Sequence, residues 1–315
     1  MLLLIYKYFF YKKMSTIDKK ENMLFEAQTG EAYTVKILGE LLNNTLKKSP
    51  IRFNEKGIFL LKEDTKNEQM IELSLLAENF IYYTCNKSIC VEVNSQHLYK
   101  MLKCIKKKDT ITLFIKDEED LKLGISIEHP EEKNNRLINY VKVLPVRYDD
   151  IERPTGYPSP IIMSSKDFQR MKTLHNFSDN IEVTCKSKYL KFFCDGGELF
   201  QKEFEVGNKY YSDGNADYSF KQNFRTIHIT GLTRCAVQSG NIQVFLHEDI
   251  GMKIKIKAGN LGEIIVYIKS LEMIEDEEEE KIKNKSNEDE DDNSVMELPS
   301  EDEEEKPKKT KKSKK

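Results

Sequence analysis

Apolar residues recur along this chain with two periods, and the changes between them mark its elements. Met23-Leu24-Phe25-Glu26-Ala27 has the look of a short strand, after which helical spacing runs over residues 31–46, with Leu38, Leu41 and Leu42 as the apolar stripe. The turn signal Asn54-Glu55-Lys56-Gly57 precedes strand-like residues 58–61, and residues 70–75 and 89–93 supply further strands. From Ser95 to Ile105, Leu98, Met101, Leu102 and Ile105 fall at the i, i+3, i+4, i+7 spacing of a helix lying on a sheet. Strands at 109–115, 121–127 and 137–143 complete this half.

The same order of elements then returns. A strand at 161–163 leads to a helix through Asn176, with Ser165 placed as its N-cap and Asp167 adding charge to the first turn. Strands follow at 181–185, 189–193, 199–206 and 220–224. Residues 226–229 lead to a cap at Thr230 and a helix over 231–238, and strands at 242–246, 252–256 and 263–268 close the set. Each half holds two helices and many strands with turns suited to antiparallel pairing, which predicts an α+β chain of two repeated domains, 23–143 and 159–274. The connector 144–158 carries Pro145, Pro154, Pro158 and Gly156, too many breakers for a helix or a central strand. Its Val146, Tyr148 and Ile151 are apolar for an idle linker.

Composition adds an asymmetry. From Glu275 onward the chain carries 17 acidic residues against 10 lysines, so in a chain of net charge −3 the preceding part is left at +4. A mildly basic body with a strongly acidic, finally Lys-rich tail is common among nucleic-acid partners. Residues 275–315 have the composition of disordered chain. Residues 1–22 form an N-terminal extension; the apolar stretch 1–13 is broken by lysine, lacks a signal-peptide layout and fits a misassigned start more than a membrane-surface anchor. No stretch approaches the roughly 20 apolar residues of a membrane span. The six cysteines form no CxxC pair, and several fall at apolar positions, Cys104 and Cys185 among them, as expected of reduced core residues.

The exposed helix faces are basic. Lys100, Lys103 and Lys107 lie opposite the apolar side of the Ser95 helix; Lys36 and Lys47 oppose the leucine face of the first helix, with Glu40 between them. Lys166 and Arg170 flank the far side of the third helix, and Arg234 points away from Leu232 and Cys235 on the fourth. Any one of these faces is an ordinary solvated surface in a chain rich in lysine. Four in a repeated layout point to a polyanion held by phosphate contacts, which fix no sequence. No P-loop, GxGxxG, GxSxG or HExxH occurs, and the histidines are scattered, so no catalytic residue, metal or cofactor is expected.

With these residues in view the chain resembles the proliferating cell nuclear antigen family of DNA sliding clamps from about Met23 to Asp276. The resemblance is carried by Met23-Leu24-Phe25-Glu26-Ala27, by Leu98-Tyr99-Lys100-Met101-Leu102-Lys103-Cys104 with Asp109-Thr110-Ile111-Thr112-Leu113, by Tyr140-Val141-Lys142-Val143-Leu144, and by Ile265-Val266-Tyr267-Ile268 with the acidic finish after Ile274. It implies a head-to-tail homotrimeric ring lined by helices, encircling duplex DNA and tethering DNA polymerase and other peptide-motif proteins. A separate clamp loader would open it. Location would be the nucleus, or a viral replication site in the host cytoplasm. It further implies that Leu137 and Tyr140 of one subunit meet Leu199 and Phe204 of the next, and that partners dock beneath the connector at Ile151, Pro154, Tyr267 and Ile268. Two departures stand out: Lys269-Ser270 replaces a small Ala-Pro pair, and Glu63 stands where the family has a methionine. The alternatives are a monomeric or heterotrimeric clamp-like accessory or checkpoint subunit, and an acidic-tailed chromatin- or chaperone-like binding protein.

Overall fold

The computed structural model describes residues 23–116, 120–131, 135–148, 151–186, 189–207 and 219–291. The leader 1–22 and the tail beyond Asp291 lie outside them. The first half runs β1 (Phe25–Thr29), α1 (Ala32–Thr45), β2 (Lys48–Asn54), β3 (Gly57–Glu63), β4 (Gln69–Leu76), β5 (Tyr82–Cys85), β6 (Ile89–Asn94), α2 (Ser95–Leu102), β7 (Thr110–Ile115), β8 (Lys122–Glu128) and β9 (Arg136–Pro145). The second runs β10 (Ile161–Ser164), α3 (Ser165–Arg170, continued as a 3-10 segment Met171–Asn176), β11 (Asn180–Lys186), β12 (Tyr189–Asp195), β13 (Gln201–Gly207), β14 (Phe220–Arg225), α4 (Thr226–Thr230, continued as a 3-10 segment Gly231–Gln238), β15 (Asn241–His247), β16 (Gly251–Ala258) and β17 (Gly262–Ile268). Helix α5 (Leu271–Asp291) follows.

All strand pairs among the described residues are antiparallel. Thirteen strands make one continuous sheet, β10-β15-β16-β17-β4-β3-β2-β6-β9-β8-β7-β1-β5, and β13-β12-β11-β14 make a second. The halves join where β17 pairs with β4, from Gly262 opposite Leu75 to Ile268 opposite Gln69. Gly262 is required at this seam, since a Cβ there would stand 1.9 Å from the Ser74 carbonyl oxygen. Strand β9 belongs to two neighbours: Arg136–Lys142 pairs with β8, whereas Val143–Pro145 pairs with β6.

The alternating pattern of the strands puts Ile, Val, Leu and Phe on the faces that the helices cover, and the buried side chains form one core through both halves. α1 packs on α2 and on segment Gly231–Gln238, which packs in turn on α3. The four helical segments thus form one contiguous layer on the sheets.

Several expectations need correction. Strand β2 was not predicted because Pro50 interrupts it. Pro50 sits opposite Glu92 of β6, outside the stretch where β2 pairs with β3, so its missing N–H breaks no bond to that strand. β5 was also missed; it is a short edge strand beside β1. Ser164, not Ser165, caps α3, its Oγ accepting from Asp167 N at 3.2 Å, while Ser165 Oγ donates to the buried Ser239 carbonyl. Thr230 is not a cap: α4 starts at Thr226, and Thr230 Oγ1 donates back to the Thr226 carbonyl at 3.0 Å. Cys104 is exposed rather than in the core, because α2 ends at Leu102 and leaves it in the following turn. Helix α5 covers residues expected to be irregular; Glu and Lys are good helix formers, and Lys283 pairs with Glu279 one turn earlier at 3.5 Å.

Candidate nucleic-acid interface and partner groove

The helix layer holds the predicted cations in unequal states. Lys100 and Lys103 lie exposed at the C-terminal end of α2, whose start is fixed by Asn94 Oδ1 accepting from His97 N at 2.9 Å. Lys107 is exposed in the turn after α2, and Lys47 in the loop after α1, so neither belongs to the helix predicted to carry it. Lys166 is exposed on α3, and Arg170 beside it stands 3.3 Å from Asp167. Two residues are committed elsewhere. Lys36 Nζ donates to the carbonyls of Lys103 and Ile105 at 2.7 and 2.9 Å, tying α1 to the C-terminal end of α2. Arg234 Nε donates to Glu40 Oε2 at 3.2 Å, joining the helices of the two halves and offsetting the one acid noted on that face.

Aromatic rings lie among these lysines. Tyr33 has Lys36 and Lys107 each 5.9 Å from its centroid, and Lys103 stands 5.6 Å from that of Tyr99. The structure adds Lys106, Lys108 and Lys172 as exposed neighbours. The run Lys106-Lys107-Lys108 was visible in the sequence, but without a helix to count along it had no predicted direction.

On the opposite side of the central sheet the connector lies over the β4–β17 seam. Tyr148, Ile151 and Tyr157 pack on Leu61, Met70 and Tyr267, as Ile265 does. Hydrogen bonds and cation–π contacts pin it. Arg52 stands over the Tyr148 ring at 5.1 Å. Arg153 Nε donates to Glu72 Oε1 at 2.9 Å, and Tyr267 OH donates to Glu72 Oε2 at 3.1 Å. Tyr157 OH donates to the Ile250 carbonyl at 3.0 Å, while Lys253 Nζ lies 4.5 Å from its ring and 4.0 Å from that of Phe245. Burial, and secondarily the Glu72 carboxylate, push the Tyr267 phenol up to about 12.

Beneath the connector, Pro154, Tyr267 and Ile268 line an apolar cavity of about 110 Å³ together with Met70, Ile250 and Met273. Ile151 is not in its wall but packs against the cluster of Leu61, Met70 and Tyr267, of which Met70 and Tyr267 are. Met70 was missed because only the β4–β17 pairing puts it opposite Tyr267. Glu63 and Lys269, the two departures from the family pattern, both stand in the wall.

The predicted contact strands differ in one respect. The Arg136–Lys142 stretch of β9 pairs on one side only, and β13 borders only β12, so each leaves an edge open among the described residues. Leu137 and Tyr140 are 44% and 51% exposed on the first. Phe204 is half-buried on β13, but Leu199, 88% exposed, lies in the turn before it, because the strand starts at Gln201 and not at 199. Ile138, Leu144, Phe177 and Phe200 add exposed apolar surface near the two edges. Among the described residues no group of three or more His, Cys, Asp or Glu is placed to hold a metal ion, and no helix is long and apolar enough to cross a membrane.

A repeated pair of helix-covered antiparallel sheets, with one helix layer and an edge-to-edge seam beneath a connector, defines a two-domain clamp fold. Residues 24–149 match the family described as proliferating cell nuclear antigen, N-terminal domain. A probable DNA polymerase sliding clamp of Autographa californica nuclear polyhedrosis virus is 21% identical over 258 residues, covering 81% of this chain and 99% of that protein. Proliferating cell nuclear antigen 2 of Plasmodium falciparum is 24% identical over 238 residues (74% of this chain, 90% of the relative), and that of Drosophila melanogaster 22% over 255 residues (78% and 96%). The chain is thus similar to proliferating cell nuclear antigen sliding clamps, through the family model over its first half and through these relatives over most of its length.

Proposed function

We propose that this protein is a DNA sliding clamp, a non-catalytic processivity factor that closes around duplex DNA as a homotrimer and holds a DNA polymerase to its template. The observation that carries the reading is the single layer of four helical segments with Lys100, Lys103 and Lys166 exposed along it and Lys107 exposed in the turn after α2. Phosphate contacts from such a layer are indifferent to sequence and permit sliding. The open edges of β9 and β13 support closure, because unpaired edges are a liability unless a neighbour covers them and a head-to-tail contact that closes forms a ring.

In this reading residues 23–143 and 159–274 are the clamp domains and 144–158 the connector. Leu137 and Tyr140 face Phe204 and the Leu199 turn of the next subunit. Polymerase and other replication enzymes insert peptide anchors at Ile151, Pro154, Tyr267 and Ile268, and a separate loader opens the ring. The site of action is the nucleus or a viral replication compartment. The acidic tail lowers nonspecific adhesion to DNA, and residues 306–315 serve nuclear entry or DNA tethering.

The test is topological. After incubation with nicked circular duplex at low salt, the protein should stay on the DNA through a high-salt wash and leave when the circle is cut. Equal loss from circular and linear DNA in the wash would remove the encircling claim.

A further inference from the structure

The connector separates two concavities on the outer face of the central sheet. One is the apolar groove of Pro154, Tyr267 and Ile268. The other, of about 570 Å³, is bounded by Arg52, Lys56, Tyr148 and Arg153, with Glu55 and Glu72 also in its wall. Arg153 and Pro154 are consecutive, and one faces each concavity. The hydrogen bond from Tyr267 to Glu72 links the two walls directly.

The charges of the second concavity are unevenly matched. Glu72 is satisfied by Arg153 and Tyr267. Arg52 is held over Tyr148, and among the described residues no carboxylate pairs with Arg52 or with the exposed Lys56, Glu55 of the same wall included. Asp149 and Asp150, next along the connector, lie outside the described residues. A guanidinium and an ammonium that no described carboxylate compensates, in a polar hollow across the connector from an apolar groove, match a peptide that is apolar in one part and acidic in the next.

We propose that this second concavity receives the acidic flank of the peptide whose apolar anchors fill the groove. The proposal rests on the groove reading given above. It makes Arg52 and Lys56 specificity determinants: they select among anchor-bearing partners by flanking charge, through partly solvated ion pairs that salt weakens.

The experiment is fluorescence anisotropy of the full chain with labelled peptides of one anchor sequence (two aromatics and one aliphatic), flanked before or after by a run of glutamates or of serines. At low salt one of the glutamate-flanked peptides should bind roughly fivefold tighter than its serine counterpart, the scale of two exposed ion pairs. The advantage should vanish in Arg52→Gln/Lys56→Gln, whose thermal midpoint should match the wild type. Ile151→Ser should weaken all the peptides. Equal binding of glutamate and serine peptides to the wild type, or a glutamate preference that survives in the double variant, overturns the proposal. Failure of every peptide to bind removes the groove reading, and the proposal with it.

Discussion

Residues of one type on one surface do different work, and Lys36 and Lys100 show how to tell them apart. Lys36 donates to two carbonyls at the end of α2, whereas Lys100 is exposed on that helix. Lys36→Met should cost about 1 kcal/mol of stability in urea unfolding, with little effect on the salt dependence of DNA binding. Lys100→Gln should leave stability unchanged and lower the slope of log K against log salt by about 0.9. The reverse assignment would show that the geometry of α1 and α2 misleads. A second residue-scale prediction concerns Tyr267. Its folded pKa of about 12 lies above the ordinary 10.0, so it contributes stability that is complete below pH 10 and lost as pH rises toward 12. Tyr267→Phe should therefore lose less stability between pH 10 and 12 than the wild type in denaturant titrations; parallel losses would show that the shift is absent. In the sequence Lys36 and Lys100 were indistinguishable, since both oppose an apolar stripe. What separates them is the close approach of α1 to α2, a tertiary fact.

At the scale of elements, the strong periodicities were legible and their ends were not. The helix over 31–46 and the Ser95 helix appear within a few residues of their predicted limits, because a stripe of leucines that must be buried leaves little freedom. β2 was hidden by one proline at a permitted position, and the start of α3 was misplaced by one residue because Ser164 and Ser165 are equally good capping types. The structure gives them separate tasks, and a variant pair checks this. Ser164→Ala removes the acceptor for Asp167 N and should cost about 1 kcal/mol. Ser165→Ala should cost about as much for a different reason, leaving the buried Ser239 carbonyl without its donor. The two losses should add in the double variant if cap and buried bond are independent; strong non-additivity in chemical denaturation would argue for one shared network.

For the whole molecule, the repeated order of elements led to the expectation of two domains, but the way the two halves join lay beyond the sequence. The seam of β4 and β17, the Arg234–Glu40 contact and the bond from Asn260 Nδ2 to Glu31 Oε1 at 2.8 Å all link residues about 190 or more positions apart. At the same seam Glu68 of the β3–β4 turn accepts or shares a proton with His228 Nε2 at 2.8 Å, with Arg225 Nε 2.9 Å from the same oxygen. Burial opposes ionisation of Glu68, but these two partners prevail and hold its carboxyl below the ordinary carboxylate range. A joint fixed by strand pairing, ion pairs and core sets the two halves against each other and so gives the open edges of β9 and β13 defined positions. A ring of the proposed kind requires such fixed edges. The most direct test of the clamp reading is the solution mass of the full chain by light scattering across a range of concentrations. A stable mass near three times 36.9 kDa is the predicted result; a mass of one chain at every concentration would contradict a self-closing ring.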